Sequence, residues 1–232
     1  MGILYGVGVG PGDPEYMTLK AVRVIKESDI LLLPNRRKED CYAYQIVKNV
    51  IPDIEDKQVV CFEFPMIKDT QQLENIHDAI YDQINEYLQN GMQVAFLTIG
   101  DPSVYSTYHY IHRRVIQNGG EAKMISGVPS FCAAAAELGI ALGERWEAIH
   151  ILPGNYPSEF SSFESGNRIY MKSGKKLRTL ISDLEEESKK KDIKVWAVSN
   201  CGFPNEKIYA NLDELKGERQ HDYLTIVIVK SL

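Results

Sequence analysis

The chain has 232 residues, 44% of them hydrophobic, with a formal net charge of −6, enough to bury a core as one large domain or two smaller ones. The acidic balance argues against nucleic-acid binding, which needs a basic face, and leaves an acidic small molecule only local basic clusters to dock on. No apolar run approaches the roughly 20 residues that cross a bilayer, and Met1-Gly2-Ile3-Leu4-Tyr5 lacks the basic flank of a signal peptide, so a cytoplasmic protein with no membrane contact is expected.

Residues 3–8 read as a strand that runs into Gly6-Val7-Gly8-Val9-Gly10-Pro11-Gly12-Asp13-Pro14. The G-x-G-x-x-G spacing of a dinucleotide loop fails in both registers, and Pro11 and Pro14 keep a helix from starting straight after the second glycine. What remains is bare backbone, suited to a flat ligand or to a tight contact between loops. Thr18 caps a predicted helix with Leu19, Val22 and Ile25 on one face, ending near Ser28. Residues 29–33 form a short apolar strand of the kind found inside parallel sheets. Arg36-Arg37-Lys38 follow on the same sheet edge as the glycine loop. They are either a solvated loop or a clamp for carboxylates, which the forked donors of arginine suit. Residues 42–50 and 73–89 read as helices, the second with Leu73, Ile76, Ile80, Ile84 and Leu88 at helical spacing.

A strand over 93–97 then enters Thr98-Ile99-Gly100-Asp101-Pro102-Ser103-Val104-Tyr105-Ser106-Thr107. In a parallel α/β sheet, ligands gather where strands end in loops. Gly100 removes a side chain that would keep a ligand off the backbone, and Asp101 offers two acceptor oxygens. The helix predicted over 105–117 carries Tyr105, Tyr108 and Tyr110, for which core packing and contact with a flat ring both stay open. His109 and His112 lie one turn apart with no third ligand, so no protein-bound metal is expected. Asn118-Gly119-Gly120 closes a first α/β domain, 1–119.

The second domain, 120–232, restarts with a strand over 122–125 and the turn Ser126-Gly127-Val128-Pro129-Ser130. A helix over 131–138 follows, which Ser130 is placed to cap and whose first N–H groups favour a carboxylate. Strands over 148–152, 168–171, 195–199 and 223–229, with one charged helix over 176–191, predict a mixed sheet. Cys41, Cys61, Cys132 and Cys201 lie far apart, which predicts reduced, buried thiols rather than a zinc site or a disulfide.

The Gly-x-Gly-x-Gly-Pro-Gly-Asp-Pro loop, the later Gly-Asp-Pro, the Gly-Val-x-Ser turn, Tyr170-Met171-Lys172-Ser173-Gly174 and the terminal strand from Tyr223 occur in an order that resembles the tetrapyrrole (corrin and porphyrin) methylase family over nearly the whole chain. Within it, Gly-Asp-Pro-Ser-Val-Tyr-Ser-Thr, Leu31-Leu32-Leu33-Pro34 and Pro129-Ser130-Phe131-Cys132 resemble the members that methylate C(20) of precorrin-2 or its cobalt form. The resemblance implies a homodimer of two α/β domains that binds S-adenosylmethionine (SAM) in the cleft between them. Carried over by position, SAM contacts fall on Gly100, Asp101, Val104, Ser130, Phe131, Met171, Cys201 and Thr225. The anionic tetrapyrrole falls to Gly8, Gly10, Pro11, Gly12 and Asp13, with Arg36 and Arg37 for its carboxylates. The reaction implied is attack of an electron-rich meso carbon on the sulfonium methyl, without a nameable base. Other tetrapyrrole methylases acting on uroporphyrinogen or a later precorrin, the diphthamide-synthesis enzyme, and a non-catalytic tetrapyrrole-binding protein are the alternatives.

Overall fold

A computed structural model describes residues 1–65, 67, 69–154, 166–218 and 222–231, with Lys175 described in its backbone alone. The chain divides into two compact units, Met1–Pro129 and Ser130–Leu232.

The first unit alternates strand and helix: β1 Ile3–Gly8, α1 Leu19–Glu27, β2 Ile30–Leu33, α2 Tyr42–Val50, β3 Gln58–Cys61, α3 Thr70–Gln89, β4 Val94–Thr98, α4 Tyr108–Gln117 and β5 Glu121–Ile125. The strands pair in the order β3-β2-β4-β1-β5, every pairing parallel. Helices cover both faces, which is why all of β2 is buried. Leu4, Ile30, Leu32, Val94 and Phe96 pack with Ile80, Ile84 and Leu88 of α3 and Tyr108, Ile111 and Val115 of α4. The intervening Val7, Leu31, Leu33, Ala95 and Leu97 are equally buried and, by strand alternation, face the side of α1 and α2.

The buried stripe of α1 is Ala21, Val24 and Ile25, not Leu19, Val22 and Ile25. The Thr18 hydroxyl accepts from Ala21 N at 3.1 Å and fixes where the helix starts. With the phase set by Ala21, Leu19 lies about 200° round the helix and is 90% exposed. The chain also divides after Pro129 rather than after Gly119. β5 pairs in parallel with β1, Tyr5 opposite Lys123, so the turn at 118–120 is the return of an ordinary β-α-β crossover and not a linker.

The second unit contains α5 Ser130–Glu137, β6 Ile149–Pro153, β7 Asn167–Met171, α6 Leu177–Ser188, β8 Ile193–Ser199, β9 Lys207–Tyr209, α7 Leu212–Gly217 and β10 Thr225–Ser231. Its sheet runs β6-β7-β10-β8-β9. β6 and β7 are parallel, β10 is antiparallel to β7 and β8, and β9 is antiparallel to β8, the mixed sheet expected. Leu177, Leu180, Ile181 and Leu184 of α6 bury against Tyr170, Val195, Ala197, Val227 and Val229. Ser130 is the first helical residue of α5, not its cap. Cys132 is exposed, unlike the buried Cys41 and Cys201. Among the described residues no helix is long and apolar enough to cross a membrane.

Candidate active site

Because every strand of the first unit is parallel, the carboxyl ends of β1, β2, β4 and β5 share one sheet edge. That edge collects the glycine loop, Arg36 and Arg37, the Gly100-Asp101 turn and the Ser126-Gly127 turn. β1 leads to α1 on one face and β4 leads to α4 on the other, which makes the space beyond these two strands a topological switch point, the usual ligand crevice of such sheets. There Gly10 and Gly100 form an isolated bridge, with Gly100 N donating to Gly10 O at 2.8 Å. Both have positive φ, 80° and 69°, conformations that glycine adopts without strain. A Cβ on Gly8 would stand 2.5 Å from Gly100 O and 2.7 Å from Gly127 N. Three loops thus touch backbone to backbone, and this tertiary contact is what the glycines at 8, 100 and 127 serve.

Asp101, 8% exposed, ties the junction. Its Oδ2 accepts from Gly127 N at 3.1 Å and its Oδ1 from Ser103 N at 2.8 Å and from the Ser103 hydroxyl. Three of a carboxylate's roughly four acceptor positions are therefore used inside the protein. Val104, half-buried, follows in the same turn, its N–H on Asp101 O at 3.2 Å. Tyr105 stands exposed at a φ of 47°. The tyrosines now separate: Tyr108 is fully buried, its hydroxyl donating to Lys123 O at 2.9 Å, while Tyr110 stacks on His77 with ring centroids 4.4 Å apart.

Pro11 and Gly12 are buried, and Asp13 Oδ1 accepts from Glu15 N at 2.8 Å to cap a short turn of helix over 14–16. Arg36 and Arg37 are exposed. Arg36 pairs with Glu63 at 2.7 Å, and Arg37 grips both oxygens of Asp40 at 2.8 and 2.9 Å. Those hydrogen bonds hold the Glu63 and Asp40 carboxyls below their ordinary pKa. Each guanidinium is thus engaged by a carboxylate of the chain itself.

In the second unit, β6, β7 and β8 run the same way and β10 the opposite way. The carboxyl ends of the first three and the start of β10 therefore form a second edge. Met171 ends β7, Cys201 follows β8 and Thr225 opens β10, all three buried. Ser130 and Phe131 open α5, Phe131 buried. The Thr225 hydroxyl is committed to the fold, 2.7 Å from Ser199 Oγ and donating to Asp222 O at 2.7 Å. Burial lowers the pKa of the Lys172 ammonium. Two residues to which the sequence assigns no site role also lie at this edge. Ser173 is 2% and Asn200 6% exposed, and neither Ser173 Oγ nor Asn200 Nδ2 has a hydrogen-bond partner among the described residues. An asparagine directly after an apolar strand and two residues before a glycine was the available signal. No group of three His, Cys, Asp or Glu among the described residues is placed to hold a metal ion.

Known proteins match this architecture from end to end. The chain is 34% identical to the probable cobalt-precorrin-2 C(20)-methyltransferase of Methanocaldococcus jannaschii, covering 98% of this chain and 95% of that one. It is 26% identical to the cobalt-precorrin-2 C(20)-methyltransferase of Salmonella typhimurium over 98% and 96%. Among solved structures, the uroporphyrin-III C-methyl transferase of Thermus thermophilus complexed with S-adenosylhomocysteine superposes with a TM-score of 0.73 at 21% identity, over 99% of this chain and 97% of that one. The family model described as tetrapyrrole (corrin/porphyrin) methylases matches residues 3–216, from the first strand into α7, and the chain belongs to that family.

Proposed function

We propose that the chain methylates the C(20) meso carbon of precorrin-2 or of its cobalt form, on the route to cobalamin. The observation that carries this reading is the 34% identity to a relative named for that reaction, sustained over 98% of the chain.

The residues present fit SAM. The strand-end edge of the second unit holds buried polar atoms without a hydrogen-bond partner among the described residues, which a polar ligand can satisfy and water-free packing cannot. When bound, SAM supplies a methyl group on a positively charged sulfur. The protein's own work is then to hold donor and acceptor in line, which is worth about 7–11 kcal/mol in favourable cases. Gly100, Asp101 and Val104 of the first unit, and Ser130, Phe131, Met171, Cys201 and Thr225 of the second, are the proposed SAM contacts. Asp101 and Thr225 act mainly through the backbone that they fix. Arg36 and Arg37 would exchange Glu63 and Asp40 for ring carboxylates, beside Pro11, Gly12 and Asp13. The active form is taken to be a homodimer: Trp146 is 91% exposed, and Ile149 and Ile151 stand exposed on one face of the edge strand β6, an apolar surface that a second copy would cover.

Incubated anaerobically with SAM and either precorrin-2 or cobalt-factor II, the purified protein is expected to add one methyl group by mass spectrometry, placed at C(20) by NMR. A product methylated at another carbon, or none from either ring, overturns the reading.

A further inference from the structure

The first unit holds a second concavity, on the face of its sheet and away from the strand ends. Helix α1 leads from β1 toward β2, and α2 from β2 toward β3, both away from the edge strand β5. Neither covers the β5 side of that face. A cleft of about 630 Å³ lies there against the flank of α1, within the size range of small-molecule sites. Tyr5, Val24 and Ile125 give it apolar surface, and Lys20, Arg23 and Lys123 supply cations. The Thr18 hydroxyl donates to Ser126 O at 3.4 Å, joining the start of α1 to the turn after β5 and bounding the cleft on the side of the glycine loops. At the far end Gln93 N donates to Asp29 Oδ2 at 2.7 Å, and Ser28 Oγ to Val24 O at 2.7 Å. The walls are therefore fixed without a ligand.

The charges around this cleft do not hold its two sides together. Arg23 pairs with Glu27 at 2.8 Å, four residues on in the same helix, and Lys123 pairs with Glu121 at 2.6 Å, two residues back in the same strand. All four side chains are more than half exposed, and such pairs are weak enough to exchange partners readily. Lys20 is exposed and has no ion-pair partner among the described residues. Lys20 and Arg23 on α1 thus share the cleft with Lys123 on β5, and no ion pair among the described residues crosses it. In a chain of net charge −6, three cations against Glu27 alone among the described lining residues is a local reversal of sign. Like charges around one cleft repel unless an anion lies between them. Tyr5, opposite Lys123 in the parallel register, adds a hydroxyl donor.

We propose that this cleft binds a small organic anion, with an apolar body on Tyr5, Val24 and Ile125 and a phosphate or carboxylate group between Lys20 and Lys123. Arg23 exchanges Glu27 for the same group, which its forked donors suit. The site is separate from both strand-end edges and does not depend on the methylase reading.

The test is calorimetric titration of the intact protein with phenyl phosphate, an anion on a flat apolar ring, and with inorganic phosphate, the charge alone. Phenyl phosphate is expected to bind saturably and about tenfold more tightly than inorganic phosphate, because its ring leaves water. Lys20→Glu and Lys123→Glu should each weaken it about tenfold or more, the scale of one charge-assisted hydrogen bond. Lys26→Glu makes the same charge change at an exposed position of α1 outside the cleft and should leave the affinity unchanged. Saturating S-adenosylhomocysteine should not displace the probe. No saturable binding, equal affinity for the two probes, wild-type affinity in the Lys20 and Lys123 variants, or an equal loss in the Lys26 variant each overturns the assignment. Displacement by S-adenosylhomocysteine would put the probe in the proposed active site and overturn it as well. A protein that binds phenyl phosphate in this pattern but not S-adenosylhomocysteine would support the cleft and overturn the methylase reading alone.

Discussion

A buried carboxylate persists only where its oxygens are taken up, and Asp101 meets that condition through groups on two loops. Its bond to Ser103 N closes a local Asx turn, whereas its bond to Gly127 N spans 26 positions and pins the β5–α5 turn to the β4 turn. Truncation to alanine leaves the buried Gly127 N–H without an acceptor, at a cost of about 1–3 kcal/mol. Asp101→Ala is therefore expected to lower the urea midpoint clearly, and Asp101→Asn, which keeps one carbonyl oxygen, to lower it less. An alanine variant as stable as wild type would show that the tie carries no weight. The sequence exposed half of this arrangement: an acid after a glycine at a strand end announces a turn with acceptors to offer. The residue that uses one of them is an unremarkable glycine on another strand's loop, and only the pairing of β5 with β1 brings it there.

Helix α6 is held to β7 by more than its leucines. Arg168, on β7 beside the edge strand and 2% exposed, sends two parallel hydrogen bonds of 2.8 Å to the Glu187 carboxylate in the last turn of α6. Removing one partner of a buried pair costs about 3–5 kcal/mol, because the other charge is left in a dry interior. Glu187→Ala is thus expected to destabilise strongly. Replacing both residues, Arg168→Met with Glu187→Leu, should recover most of the loss, and thermal unfolding of the single and double variants reads the difference. If the double variant were no better than the single, the cost would lie in packing rather than in the stranded charge. At this scale the patterns with strong periods were readable: α2 begins and ends where its spacing predicts, and β2 shows as a buried apolar run. β9 and α7 span 3 and 6 residues, too few for a period to emerge. β3 reads Gln-Val-Val-Cys and is half-exposed at a sheet edge, which leaves it without the apolar signature of its neighbours. The Arg168–Glu187 bond was invisible because an arginine in a strand reads as solvent-facing until a helix is placed over it.

The two units carry separate cores, and their titratable groups are unequally shared. His77 is buried under Phe64 and Tyr110, and burial first, then the Arg114 charge, lowers its pKa, with Glu74 and Asp78 opposing. Burial, then His109, lowers the pKa of His112. Both belong to the first unit, on α3 and α4. In the unfolded chain each titrates near 6.5, so below that pH the unfolded state binds more protons than the folded one. The stability they contribute is complete above about pH 6.5 and declines as pH falls toward their depressed folded values. Acidification from pH 7.5 to 5.5 is therefore expected to speed amide hydrogen exchange in β1, β4 and α4, after correction for intrinsic rates, more than in β7 and β10. His77→Phe, which keeps a ring between Phe64 and Tyr110, should reduce that difference. Equal loss of protection in both units, or a His77→Phe protein as acid-sensitive as wild type, would place the acid sensitivity elsewhere. The prediction follows from the division of the chain at Pro129 as much as from the histidines: groups confined to one core report on that core first.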